Sequence, residues 1–280
     1  MNKEHFELHQ PVTEPIAAIK HLADHCDLSK QQLKQAMQKG AVWITPQSKV
    51  SRASSGTQRL RRAKKELQAG DCLHFYYDRV ILEYDMTPAE LVSDFGDYSV
   101  WNKPYGVYSQ GSKWGDHCTI AYWVQHNLEP QRPVFVIHRL DRATNGLMLL
   151  AHTKRAARLL SQMFEQRKLE KKYRALVHGR FSSALQTVNT PIDSRSACSH
   201  FSLDQFYPDT DQSLVDVAIE SGRKHQIRRH LSELGFPIVG DRLHGIEKTV
   251  NTGMDLQLCA YRLVFTCPLT GEHRHFELGN

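Results

Sequence analysis

Several things are missing from this 280-residue chain. No apolar run approaches the ~20 residues of a membrane-spanning helix. The first ten residues are polar and mixed in charge, which argues against a secretory leader. The six cysteines, at 26, 72, 118, 198, 259 and 267, include no Cys-x-x-Cys pair. Neither a disulfide frame nor a zinc site is therefore expected, and the thiols read as reduced cytoplasmic ones. Sixteen histidines are many, but no His-x-x-x-His and no Cys/His cluster has ligand spacing, so no metal is expected. G-x-G-x-x-G and G-x-x-x-x-G-K-[ST] are absent, as are internal repeats and low-complexity segments.

What is present is length for a sizeable core and an uneven charge. The net charge is +6, and residues 1–80 carry 13 Lys and Arg against 8 Asp and Glu, so nearly all the excess lies there. A basic front segment before a nearly neutral remainder points to a polyanion partner. Within it, residues 45–65 carry Lys49, Arg52, Arg59, Arg61, Arg62, Lys64 and Lys65 with no acid among them. Such a run repels itself unless phosphates are near; the alternative is a solvated loop.

Around this run the pattern predicts two short helices over 15–39. Pro15 suits a first helical position, and Ser29 with Gln32 makes a capping box before Leu33 and Met37. Strands follow at Ala41–Ile44 and at the alternating Leu73, Phe75 and Tyr77. Residues 80–98 read as a link to a second domain. Beyond it the pattern predicts a strand from Val100, a helix over 118–128, and a helix capped by Thr153 with Ala156, Leu159, Leu160, Met163 and Phe164 as its apolar face. Lys171–Val177 and Leu214–Glu220 alternate as strands, and strands close the chain over 256–278. Residues 180–213 read as loops with one short strand.

The centre of the chain is the stretch 137–150. Two apolar runs, Val134–Ile137 and Leu147–Ala151, read as buried strands. Between them lie Arg139, Asp141 and Arg142. Asp141 is either an acid making a local turn or a carboxylate kept ionised by cations at a site for an anionic ligand. A second basic stretch runs from Arg223 through Arg229 after a Ser221-Gly222 turn, with Ile227, Leu231 and Leu234 as a helical apolar stripe. Its N-terminal amides and cations would attract an anion, unless it is simply an exposed basic helix.

Taken together, His138-Arg139-Leu140-Asp141 with Thr144 and Gly146, then Lys172-Tyr173 with Ala175, Val177 and Gly179, then Gly222-Arg223 with His225-Gln226-Ile227-Arg228 and His230, and finally Gly235–Asp241, resemble the motifs of an RluA-class pseudouridine synthase. Lys103-Pro104 with Gly106 fits an earlier strand of that family. Asn145 and His244 depart from it, where a small hydroxyl residue and an aromatic are usual. Separately, Leu28-Ser29-Lys30, Gln38–Ile44 and Ala69–Leu73 resemble the alpha-L RNA-binding module.

The resemblance implies an α+β protein with a mixed, largely antiparallel sheet flanked by helices and a small N-terminal α/β RNA-binding domain. The expected domains are 1–80, a linker over 81–95, and a catalytic domain over 96–280. The implied activity is isomerisation of uridine to pseudouridine in ribosomal or transfer RNA, with no cofactor; together with the residue readings above, the expectation is a cytoplasmic monomer without metal or membrane. Asp141, Tyr173 and Arg228 are implied as catalytic, with Arg228 as the cation that keeps Asp141 charged. Arg139, Ile227, His138, Gln226 and Arg223 are implied to hold substrate, and the cations of 45–65 to contact RNA.

Overall fold

The computed structural model describes residues 4–47, 56–245 and 253–279. The chain divides into two units, Met1–Met86 with Gln110–Tyr122, and Thr87–Ser109 with Trp123–Asn280.

In the first unit, strand β1 (His5–Pro11) pairs antiparallel with β6 (Cys72–Asp78), and β6 with β3 (Val42–Thr45). The short β4 (Gln58–Arg59) completes that sheet beyond β3. A second ribbon joins β2 (Ile16–Ala17) to β5 (Glu66–Leu67). Helix α1 (Ala18–Ala23) follows β2 directly, so Pro15 precedes a strand rather than starting a helix. Helix α2 (Lys30–Gln38) starts on the expected capping box: Ser29 Oγ accepts from the Gln32 amide at 3.2 Å, and Gln32 Oε1 accepts from the Ser29 amide at 3.0 Å. Leu22, Leu33, Met37, Val42, Leu67, Leu73 and Phe75 form its core. Strand β1 lay hidden in the sequence because its inward face offers only Phe6 and Leu8, followed by the polar Gln10. The expected linker over 81–95 is not bare chain either. It holds the end of helix α3 (Arg79–Leu82) and strand β7 (Glu90–Asp94).

The second unit is one ten-stranded sheet. It is built from β7, β8 (Tyr98–Lys103), β9 (Phe135–Val136), β10 (Asn145–Ala151), β11 (Leu169–His178), β12 (Gln186–Val188), β13 (Ser199–Tyr207), β14 (Gln212–Ile219), β15 (Leu258–Thr266) and β16 (His273–Glu277). The order is β12-β13-β14-β11-β15-β10-β8-β7, with β16 beside β15 and β9 beside β10. Every pairing is antiparallel except β10 with β15, where Gly146 lies opposite Ala260. Gly146 has φ +114°, and a Cβ there would come within 2.4 Å of the Ala260 carbonyl oxygen, so only glycine fits this crossing.

Helix α4 (Ile120–Asn127) matches the helix expected over 118–128. Helix α5 (Lys154–Glu165) is capped by Thr153 Oγ1 at 3.1 Å from the Ala156 amide and packs Ala156, Leu160 and Met163 against Leu147 and Leu149 of β10. Helix α6 (Gln226–Glu233) packs Ile227 and Leu231 against Tyr173, Ala175 and Val177 of β11 and Val215 and Val217 of β14. Residues 180–213 are more regular than their polarity suggested. They contain β12 and the nine-residue β13, whose inward residues include Phe201. The fold class expected from the sequence is the one observed: a mixed, largely antiparallel sheet with a few helices.

Candidate active site

The loop between β9 and β10 is fixed from the end of β8. Ser109, buried, donates to the Leu140 carbonyl at 2.7 Å and accepts from the Leu140 amide at 3.0 Å. The Gly106 amide donates to the Arg142 carbonyl at 2.9 Å, and Arg142 Nε donates back to the Gly106 carbonyl at 3.0 Å. The Thr144 amide donates to the Asp141 carbonyl at 3.1 Å and closes a turn. Beneath this, Lys103 is 0 % exposed and donates to the carbonyls of Pro104, Val107 and Arg142 at 3.1, 2.8 and 3.4 Å. Burial pushes its ammonium down to about 7, against the opposing pull of the Asp141 charge. The sequence signal for Lys103 was a lysine ending an apolar strand just before Pro104, which marked the motif without revealing its buried load.

Asp141 is half-buried, and among the described residues no cation pairs with its carboxylate. Its charge acts on Lys103, His225 and His244, raising each of them, so the end of β8, the loop and the head of α6 converge on it. Arg139 is exposed and makes no ion pair among the described residues. Leu140, Tyr173 and Ile227 share one apolar cluster. Tyr173 sits where the β11–β15 register slips between Lys172 and Arg174, since β15 carries an extra residue there. Its hydroxyl has no partner among the described residues, and Lys171 Nζ lies 5.1 Å from its ring.

Arg228 is not placed as the sequence led one to expect. Its guanidinium holds Asp241 through Nε at 2.8 Å and Nη2 at 2.6 Å, and the two side chains are 5 % and 1 % exposed. Asp241 Oδ1 also accepts the Leu243 and His244 amides at 2.9 and 3.0 Å. Burial would raise the Asp241 carboxyl, but Arg228 and these amides outweigh it and hold it below the usual range. A bidentate guanidinium–carboxylate fit with two added amides leaves Arg228 no reason to reach for Asp141. At the head of α6, His225 adopts φ +54° and its Nδ1 lies 3.1 Å from His244 Nε2. Burial lowers the pKa of both rings.

Two expected substrate ligands are taken up by the fold. Gln226 is buried; its Oε1 accepts from the Ser221 hydroxyl at 2.8 Å and the Arg223 amide at 3.1 Å, and its Nε2 donates to the Cys198 carbonyl at 2.9 Å and Ser199 Oγ at 3.0 Å. All its capacity is used within the chain. His138 stacks on Phe164 of α5 at 4.3 Å and its Nε2 accepts the Leu149 amide at 2.9 Å. Burial holds its pKa well below the usual imidazole value, so it stays neutral. Arg223 donates through Nε to the Ser196 carbonyl at 3.0 Å.

In the first unit, the basic stretch does find an acid, from a distant part of the chain. Asp116 pairs with Arg59 at 3.2 Å and accepts a hydrogen bond from Arg61. Arg59 also donates to the Gly40 carbonyl and lies 4.3 Å over the Trp43 ring. Arg62, Lys64 and Lys65 are exposed and unpaired among the described residues. Lys49 and Arg52 lie outside the described residues. Cys198, His200 and Glu220, which show no ligand spacing in the sequence, bring their donor atoms within 4.8 Å of one another.

The second unit is thus a largely antiparallel sheet that carries Asp141 on a loop braced by Ser109. Residues 97–233 match the family described as RNA pseudouridylate synthase. The tRNA pseudouridine synthase C of Salmonella typhi is 33% identical over 176 residues, covering 52% of this chain and 68% of its own. A protein of Aquifex aeolicus described as an uncharacterized RNA pseudouridine synthase is 25% identical over 90% of this chain and 86% of its own. A solved human protein, RNA pseudouridylate synthase domain containing 1, superposes with a TM-score of 0.60 at 21% identity, covering 70% of this chain and 85% of that one. The chain spans about half the length of several other curated relatives. The chain belongs to the RNA pseudouridylate synthase family, isomerases that act on RNA.

Proposed function

We propose that this protein converts a uridine of a folded RNA to pseudouridine through Asp141, without a cofactor. The observation that carries the reading is an unpaired carboxylate on a loop braced by Ser109 and Lys103, with Tyr173 and Ile227 in the cluster next to it. The target base leaves its stack to reach the site. The exposed Arg139 fills the gap and holds a phosphate of the flipped nucleotide. Tyr173 gives the uracil an aromatic face and a hydroxyl able to relay a proton, and Ile227 packs against the base. The glycosidic bond is cut, the uracil turns, and it rejoins the ribose through carbon. Asp141 acts on the sugar, by attack or by taking a proton, and either route needs the ionised carboxylate.

Arg228 acts through Asp241 as a positioning residue, fixing the head of α6 where His225 and His244 face Asp141. The RNA is a transfer RNA, as for the Salmonella relative, or large-subunit ribosomal RNA, as the name of a Buchnera aphidicola relative has it. A cytoplasmic monomer using reduced cysteines completes the reading. Nucleoside analysis of tRNA and rRNA transcripts after incubation is the test. Pseudouridine is expected at a discrete position. An abasic site would instead mean a base-removing hydrolase, and unchanged uridine in every RNA would mean a binding protein.

A further inference from the structure

The segments at the start of strand β13 and the end of β14 bring three metal-type donors together. Cys198 and His200 are two residues apart on an extended segment, so their side chains leave the same face. Glu220 lies across from Cys198, its amide donating to the Cys198 carbonyl at 3.1 Å as the continuation of the Ser199–Ile219 pairing. The thiol sulfur is 3.4 Å from His200 Nε2, and that nitrogen is 3.1 Å from Glu220 Oε1. Tetrahedral zinc with bonds of about 2.0 to 2.3 Å sets such donors about 3.3 to 3.6 Å apart, close to these two separations, and the sulfur and the carboxylate lie within 4.8 Å of each other. On the far side of the ring, His200 Nδ1 lies 3.0 Å from Oγ1 of Thr187, its cross-strand partner in β12. When Nδ1 donates to Thr187, Nε2 is bare and turned to the other two donors; when Nε2 carries the proton, it donates to Glu220 Oε1 instead.

We propose that Cys198, His200 and Glu220 form a zinc site, with Thr187 orienting the histidine and water in the fourth position. The Cys198 thiol gives up its proton to solvent as the thiolate binds. Arg167 does not compete for the same oxygen, since it approaches Glu220 Oε2 at 4.0 Å. With three protein ligands and one water, the site is of the open type. It ties Glu220, at the end of β14, to the segment whose Cys198 carbonyl receives the Gln226 side chain, and so braces the turn from which α6 departs.

The test uses the full-length, untagged chain, stripped by dialysis against a chelator and titrated with cobalt(II) alone, then with zinc. One equivalent of cobalt is expected to give a thiolate-to-metal absorption in the near ultraviolet with intense tetrahedral visible bands, and zinc to displace it. Cys198→Ser is expected to lose the near-ultraviolet band, and Thr187→Val to weaken metal binding about 10- to 100-fold. Glu220→Gln, a change at an exposed side chain, gives a second reading should Cys198→Ser fold poorly; it is expected to abolish the one-equivalent endpoint. A wild-type titration with no tetrahedral spectrum overturns the proposal, as does a near-ultraviolet band that survives Cys198→Ser. Neither result touches the assignment of Asp141, because metal content and spectrum are read without RNA.

Discussion

Arg228 and Asp241 form a closed, buried pair: two hydrogen bonds of 2.8 and 2.6 Å join side chains that are 5 % and 1 % exposed. The arginine expected to face the loop carboxylate is thus spent on a second aspartate, 13 residues along the chain. Removing one partner leaves the other charge buried and alone. Arg228→Ala and Asp241→Asn are each expected to cost about 3–5 kcal/mol in urea unfolding. The double replacement Arg228→Met with Asp241→Leu should recover most of that loss. Asp241→Asn with unchanged stability would show that the pair does not anchor α6.

Asp141 stands in the opposite situation, since its carboxylate supports no ion pair among the described residues. Asp141→Asn is therefore expected to change stability by less than about 0.5 kcal/mol. Turnover should fall to background while RNA affinity stays within several-fold, because phosphate contacts dominate binding. Substantial pseudouridine formation by the Asn variant would remove Asp141 from the chemistry.

The helices and strands with clean patterning were legible in the sequence: the Ser29–Gln32 box, the Thr153 cap, and the alternations of β6, β11 and β14. Strands such as β1 and β13 were not, because a polar residue shares each inward face, Gln10 with Phe6 and Leu8 and Ser199 with Phe201. The Asp141 loop was found by its residues, but its supports were not. Nothing local says that Ser109 clasps Leu140 or that Lys103 is sealed beneath Arg142. Charge pairing was the weakest inference of all. Arg228 takes Asp241 and the basic stretch takes Asp116, both set by long-range topology rather than by neighbours in sequence.

Lys103 links stability to pH. Burial lowers its pKa from 10.5 to about 7, so between those values the unfolded chain holds a proton that the folded chain lacks. Its contribution is complete above the unfolded pKa and is lost as pH falls through about 7. Lys103→Met removes the titration but leaves the carbonyls of Pro104, Val107 and Arg142 without this donor, each unmet buried acceptor costing about 1–3 kcal/mol. The wild type is expected to gain on the variant by about 1 kcal/mol per pH unit from pH 7 to 9. Parallel stability curves over that range would mean that Lys103 keeps an ordinary pKa.

The cations of the first unit divide into two kinds, and the division can be measured. Arg59 and Arg61 are bound to Asp116 and to backbone carbonyls, so replacing them should be felt by the fold. Arg62, Lys64 and Lys65 are exposed, with no ion pair among the described residues, and are the ones available to phosphates. The triple change of Arg62, Lys64 and Lys65 to Ala is expected to lower the salt slope of RNA binding by roughly three units, about one for each lost contact. Single-turnover rates at saturating RNA should hold, because Asp141, Arg139 and Tyr173 are untouched. Arg59→Ala with Arg61→Ala should instead lower the unfolding midpoint and leave Asp116 without its partners. Binding isotherms at several salt concentrations, run beside urea melts, separate the two sets. An unchanged slope in the triple variant would mean that these three side chains are merely solvated. A slope that fell mainly with Arg59 and Arg61 would mean that RNA displaces Asp116 from its arginines on binding.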